Sequence, residues 1–409
     1  MACAQAVRSP KSSRREATHR GSTGQIVDLV LDDAARPAWV DPDWQLRVPV
    51  PGVPARLHTG ECCVHGCFAD GRRIPLVSRD GNQLQTAFPW NDWSDYIRLE
   101  RYATWKRRPL HTFFPVSYHL IPSGTRHRLA SWMYRGRDGQ DDCFPSAPFD
   151  AGFETLRFLV EKFRQDTSLA QRPAPAVCLT HDVDTEDGFD WIPVIADLEE
   201  SLGVRSCWNI VAHQYEINHA ILGRLEERGF EIGLHDSLHD NKLVYLSEAA
   251  TRRRLDRCRP FLERYQVRGF RSPSWLRNEM LYRILQDYVS YDSSCLDFDW
   301  LCPAGRGGAL TCSPFRVGRL VEIPVTLPLE APWLTAVGAA PLLEYWEPKL
   351  RWLKNIGGCA VVNTHPDPHY TGSAERVHAY GRFVEMLLEK YGNRWRLPRD
   401  LANEVHADA

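Results

Sequence analysis

Short apolar runs recur along the second half of this chain, near 176–181, 204–211, 230–234, 267–270, 288–291, 320–325 and 359–364, and each empties into a polar cluster. Runs of that length, rich in β-branched and aromatic residues, predict strands buried on both faces. Between them, helical spacing covers 192–202, 217–228 and 247–265. Gly203 and Gly229 close the first two helices, while Ser247 and Glu248 suit the start of the third. Strand and helix in alternation imply a parallel sheet with right-handed crossovers. Seven strands with every polar cluster at a carboxyl end predict a barrel whose site lies on that face, with an open doubly wound sheet as the alternative.

Upstream the pattern changes. Residues 1–24 are rich in Arg, Ser and small residues without an apolar period, which predicts a disordered basic tail. From 25 to about 99, β-prone runs at 26–31 and 46–50 alternate with Pro, Gly and Asp turns, the signature of a small mostly-β region. Residues 102–150 are basic and aromatic, as in Trp105-Lys106-Arg107-Arg108 and Tyr134-Arg135-Gly136-Arg137. They read as a solvated connector in preference to a membrane or nucleotide-sugar contact. Helical spacing over 153–164 and the Pro-rich stretch 171–175 complete an expected division into 1–24, 25–150, 151–175 and 176–400.

Candidate chemistry sits where the predicted strands end. Leu179-Thr180-His181-Asp182-Val183-Asp184 places two carboxylates two residues apart, on one face of an extended chain. Aimed at one spot, they can repel, share a proton or divide their labour around a cation. His235 and His239, four apart and just past the 230–234 run, can hold one metal with an Asp oxygen as third ligand. Arg271, Asp292 and His365 stand at the ends of three further runs. Singly, each has a plain explanation: a surface ion pair, a cap and a packed histidine. Together they make a set that is hard to reach by accident.

In order and spacing these clusters match five motifs: Thr180 to Asp184, His235 to His239, Arg271 to Trp275, Tyr291 to Ser294, and Asn363 to His365. The segment from about Ala176 to Arg396 thereby resembles the polysaccharide deacetylase family, also called the NodB-homology domain or carbohydrate esterase family 4. Gly269-Phe270-Arg271-Ser272-Pro273, Tyr291-Asp292-Ser293-Ser294 and Glu322-Ile323-Pro324 resemble a branch among bacterial surface-polysaccharide biosynthesis proteins. The resemblance implies an α/β fold, a distorted seven-stranded (β/α) barrel, and hydrolysis of an N-acyl amide, N-acetyl first, on a sugar, nucleotide sugar or glycan precursor. It implies a divalent ion, zinc first, on Asp184, His235 and His239. Asp182 would be the general base with Arg271 pairing it, His365 the general acid with Asp292 fixing its tautomer, and Trp275 a lining of the acyl pocket. A deformylase or non-sugar amide hydrolase using the same site, and a non-catalytic carbohydrate-binding relative, are the alternatives.

Two departures from the family pattern stand out. His181 replaces an aromatic residue and Val183 separates the acids, while Asp236 puts an added negative charge beside the expected metal.

Composition changes this picture little. At 409 residues with a formal net charge of −2 the chain gives no reason to expect nucleic acid. The start lacks a secretory pattern and no long uncharged apolar stretch can span a bilayer, so a cytoplasmic location without membrane contact is expected. Most of the 12 cysteines sit singly in apolar runs and read as reduced thiols. Cys62, Cys63 and Cys67 around His65 are the one compact group, for which a structural zinc is the lesser alternative.

Overall fold

The computed structural model describes residues 25–31, 36–41, 43–52, 61–80, 83–103, 149–163, 176–298, 307–332, 342–392 and 394–407, together with 125 and 128. The expected tail 1–24, the linker 171–175 and nearly all of the basic connector lie outside the described residues.

The amino-terminal strands are β1 (Gln25–Leu31), β2 (Arg47–Val50), β3 (Glu61–Cys67), β4 (Arg73–Asp80) and β5 (Gln83–Thr86), followed by helices α1 (Trp90–Arg98) and α2 (Gly152–Phe163). These strands form an antiparallel sheet in the order β2-β1-β3-β4-β5. Val27, Leu29, Val48, Val64 and Leu76 are buried with Trp93 and Ile97 of α1 and Phe153 and Leu156 of α2. The indole of Trp93 donates to Pro49 O at 2.8 Å, fixing α1 on the sheet.

The second sheet is wound from β6 (Val177–Val183), α3 (Ile192–Ser201), β7 (Cys207–Ile210), α4 (His219–Glu227), β8 (Glu231–Leu234), α5 (Glu248–Asp256), α6 (Arg259–Arg264), β9 (Gly269–Phe270), α7 (Glu279–Leu285) and β10 (Tyr291–Asp292). It continues through β11 (Phe315–Val317), β12 (Leu320–Glu322), β13 (Leu327–Pro328), α8 (Leu342–Ile356) and β14 (Ala360–Thr364), and the chain ends with α9 (Ala374–Tyr391) and α10 (Pro398–Ala407). The expected caps are present: Ser247 Oγ accepts from Ala250 N, and Gly203 and Gly229 adopt φ of 75° and 85°.

The order of this sheet is β11-β12-β10-β9-β8-β7-β6-β14-β13, parallel throughout except for β11. Its two ends are bound by one segment, 320–328. Val321 and Glu322 pair with Tyr291 and Asp292, whereas Leu327 and Pro328 pair with Val362 and Asn363. The sheet therefore curls back on itself.

Two expectations are corrected by proline. The run 320–325 is not a single strand: after Pro324, which has no N–H to donate, Val325 N still donates to Cys295 O but Thr326 N donates to Val361 O. The expected helix 247–265 is two helices, because Pro260 opens α6 and cannot continue the hydrogen bonding of α5.

A buried ion pair and a buried hydrogen bond join the amino-terminal region to the second sheet's region: Arg277 donates to Glu100 at 2.6 and 2.8 Å, both side chains being buried, and Glu154 of α2 accepts from Thr311 Oγ1 at 2.6 Å. Among the described residues no helix is long and apolar enough to cross a membrane.

Candidate metal centre

Alternation along β6 sends Thr180 and Asp182 to one face and His181 to the other. His181 is buried, with Nε2 2.8 Å from Glu199, Nδ1 3.0 Å from Thr364 Oγ1 and its ring stacked on Trp208 at 4.1 Å. It thus fills an aromatic packing position between the sheet and helices α3 and α9, away from the acids.

Asp184, just past β6, meets both histidines. His235 Nε2 and His239 Nε2 each lie 3.3 Å from Asp184 Oδ1. His235 Nδ1 lies 2.9 Å from the carbonyl of Arg271, which only accepts, so Nδ1 carries the hydrogen and Nε2 presents a lone pair. Asp184 Oδ1 is buried and accepts no hydrogen bond among the described residues. Burial works against its charge, yet the imidazoles of His239 and His235 hold its carboxyl far below the usual range. Ligand atoms about 2.0–2.1 Å from a tetrahedral ion stand about 3.3–3.4 Å apart, the separation of Asp184 from each histidine. Two imidazole nitrogens and a carboxylate oxygen are a donor set that fits zinc and other divalent metals.

Residues that the sequence reading left unassigned hold this set. Gln214 Nε2 donates to Asp184 O at 2.9 Å and its Oε1 accepts from His239 N at 2.7 Å, tying the backbones of Asp184 and His239 together. Asp367 accepts from Asp184 N at 3.0 Å and from the Thr185 hydroxyl. Only Asp367 carried a signal in the sequence, as part of the polar run after β14.

Asp182 lies alongside, accepting from Asn209 Nδ2 at 2.8 Å. Burial would raise its pKa, but Arg271, His235 and His365 together bring it below the ordinary value. Arg271 Nη1 is 3.4 Å from Asp182 Oδ1, its longest contact; shorter ones reach Ser293 O and Oγ at 2.8 Å, Thr180 Oγ1 at 2.9 Å and Asn363 Oδ1. Arg271 is thus a tie between the ends of β6, β10 and β14 as well as the partner of Asp182. His365 Nε2 stands 4.0 Å from Asp182 Oδ2.

The expected partnership of Asp292 with His365 is not formed. His365 Nδ1 lies 2.6 Å from Glu330 Oε2, and Glu330 Oε1 accepts from His365 N, Thr371 N and Thr371 Oγ1 at 2.9, 3.0 and 2.7 Å. The topology explains this. Leu329 N donates to Asn363 O, so the segment after β13 runs beside β14 and delivers Glu330 to His365, while Asp292 lies on the far side of 320–328. There it accepts from Ser294 Oγ at 2.7 Å and faces the Glu322 carboxyl, with burial pushing both acids up. Burial would lower the pKa of His365, but the Glu330 carboxylate, followed by Asp184 and Asp182, raises it to about 10.

Asp236 also differs from expectation. It is buried in a bidentate pair with Arg254, so its charge is compensated instead of added to the ligand set. Trp275 stands beside Ser274 in a turn with both residues at positive φ, half-buried against the core. Cys62, Cys63 and Cys67 are spread along β3, and the cluster Asp184, His235 and His239 is the one metal-compatible group of three among the described residues.

No protein-family model and no curated protein matches the chain. Solved structures do resemble part of it. One, described as a "putative polysaccharide deacetylase" from Mycobacterium smegmatis, is 21% identical over 58% of this chain and 92% of its own, with a TM-score of 0.48. The Puue allantoinase is 14% identical over 65% of this chain and 98% of its own, with a TM-score of 0.45. A CE4 family pseudoenzyme from Bacillus anthracis is 18% identical over 57% of this chain and 67% of its own, with a TM-score of 0.40.

Proposed function

We propose that this chain is a metal-dependent hydrolase that removes an N-acyl group, N-acetyl first, from a sugar, nucleotide sugar or glycan precursor. We read its curled sheet as the distorted seven-stranded barrel, with the site at the carboxyl ends of the strands. The observation that supports this most is one placement: a buried acid, Asp182, and an imidazole, His365, 4.0 Å apart beside the ligand set of Asp184, His235 and His239. A divalent ion held by that set, zinc first, would bring the pKa of a water there down to about 7 and would polarise an acyl oxygen.

The remaining work falls to the chain's own side chains. Asp182, kept ionised by Arg271 and aimed by Asn209, takes the proton of the attacking water. His365, kept protonated by Glu330, gives its Nε2 proton to the departing amine nitrogen. Gln214 and Asp367 hold the backbone of Asp184, which places that carboxylate ahead of substrate binding.

The test is acyl release by zinc-reconstituted protein from a panel of N-acetylated nucleotide sugars, lipid-linked sugars and simple amides. Asp182→Asn should lower the rate by about 10²- to 10⁴-fold, the usual worth of a general base. Release that is undiminished in this variant contradicts the proposal.

A further inference from the structure

The loop between the two histidines is held by a residue from outside it. Asp236, directly after His235, has φ of 63°, a left-handed conformation that costs a non-glycine residue on the order of 1 kcal/mol and persists where surroundings enforce it. Arg254, near the carboxyl end of α5, supplies that enforcement. Its Nε donates to Asp236 Oδ1 at 3.0 Å and its Nη2 to Oδ2 at 2.7 Å. The same guanidinium reaches Asp240 Oδ1 at 2.8 Å and the carbonyl of Leu238. Asp236 adjoins His235, while Leu238 and Asp240 bracket His239. Arg254 and Asp236 are both buried, so the pair is not a solvated surface bridge.

We propose that Arg254 is a positioning residue for the metal centre: by clamping Asp236, Leu238 O and Asp240 it fixes the backbone around both histidines so that their Nε2 atoms converge on Asp184. This rests on the reading that Asp184, His235 and His239 hold a divalent ion. The planar fork of Arg254 makes the arrangement specific, since a lysine ammonium cannot span both oxygens of Asp236 and also reach Asp240. Without the clamp the loop must be ordered at the moment of binding, and affinity drops accordingly.

The experiment measures zinc affinity by chelator competition and, separately, the Tm of the metal-free protein. The variants are Arg254→Met, Arg254→Lys, the double variant Asp236→Ser with Arg254→Met, and His239→Ala as the control for ligand loss. Arg254→Met should bind zinc about 10- to 100-fold more weakly, the range for groups that orient ligands, and also lose Tm because Asp236 is left buried without its counter-charge. Arg254→Lys, which keeps the charge, should recover Tm more than affinity. The double variant removes both charges and should regain most of the lost Tm while its affinity stays at least about 10-fold weak. A purely structural pair predicts the opposite, with affinity returning along with Tm, and that result overturns the inference. So does wild-type affinity in folded Arg254→Met or Arg254→Lys. If the Met variant does not fold, the Lys and double variants carry the test. Zinc held by the wild type, lost in His239→Ala and unchanged in the Arg254 variants defeats the inference alone, whereas no zinc in the wild type defeats the metal reading and the inference with it.

Discussion

Glu330→Gln separates the charge of Glu330 from its shape. Glu330 is the foremost group raising the pKa of His365 from its ordinary 6.5 to about 10, and its two oxygens accept from His365 N, His365 Nδ1, Thr371 N and Thr371 Oγ1. The amide can keep the three contacts at Oε1, so the turn 365–371 should survive. Its nitrogen would then face His365 Nδ1 and favour the neutral ring. Asp182 and Asp184 stay in place, so only part of the upward shift is lost, on the order of 2 units. A general acid must be protonated, so activity falls as pH rises through the pKa of His365, and in the variant that descending limb moves down by the same amount. Between the two limbs turnover should drop by up to about 100-fold, while below both the enzymes should agree within a few-fold. A bound cation lowers both limbs together, which leaves their separation as the quantity to read. The assay is the initial rate of acyl release from pH 5 to 10, with wild type and variant loaded alike. Superimposable profiles, or a uniform loss at every pH, would refute the argument that Glu330 acts through the protonation of His365.

The two aspartates should part company on metal analysis: Asp182→Asn keeps its ion and loses activity, Asp184→Asn loses both, and the reverse pattern would swap their roles. Arg271→Ala should cut turnover about 10- to 100-fold with metal content nearly intact, checked by kinetics and metal analysis together, although its ties to Ser293 and Asn363 also predict a lower Tm. Glu231, buried beside the hydroxyl of Tyr291 at 2.9 Å, has its pKa raised by burial from 4.5 to about 7. Its contribution to stability is therefore whole below about 4.5 and lost as pH rises through about 7, a gap of about 3 kcal/mol, and denaturation midpoints of Glu231→Gln should lack that fall.

The strands that carry the site were legible because each is a dense apolar run with its polar residues at one end. β6, β8 and β14 lie where the runs at 176–181, 230–234 and 359–364 place them, within one or two residues. β10 was displaced, since Tyr288 completes the turn after α7 by donating to Leu285 O, and pairing begins only at Tyr291. β13 has two residues and no period of its own; it exists because Pro324 releases the segment to a new neighbour. The histidine pair was legible from spacing and Asp184 from the family resemblance, but the groups that hold this cluster were not. Glu330 is 35 residues from His365 and Arg254 is 18 from Asp236, and a lone polar residue in an irregular loop or on a helix carries no signal of what it will meet. Asp292 shows the converse, a polar residue at a strand end whose neighbours were decided by how the sheet curls.

The metal centre is the claim on which the rest depends, and divalent ion content per chain tests it most directly. Wild-type protein equilibrated with zinc and freed of excess should retain about one ion per chain, and His239→Ala or His235→Ala should retain almost none at the same free zinc. Full occupancy in either histidine variant, or none in the wild type, would contradict the account.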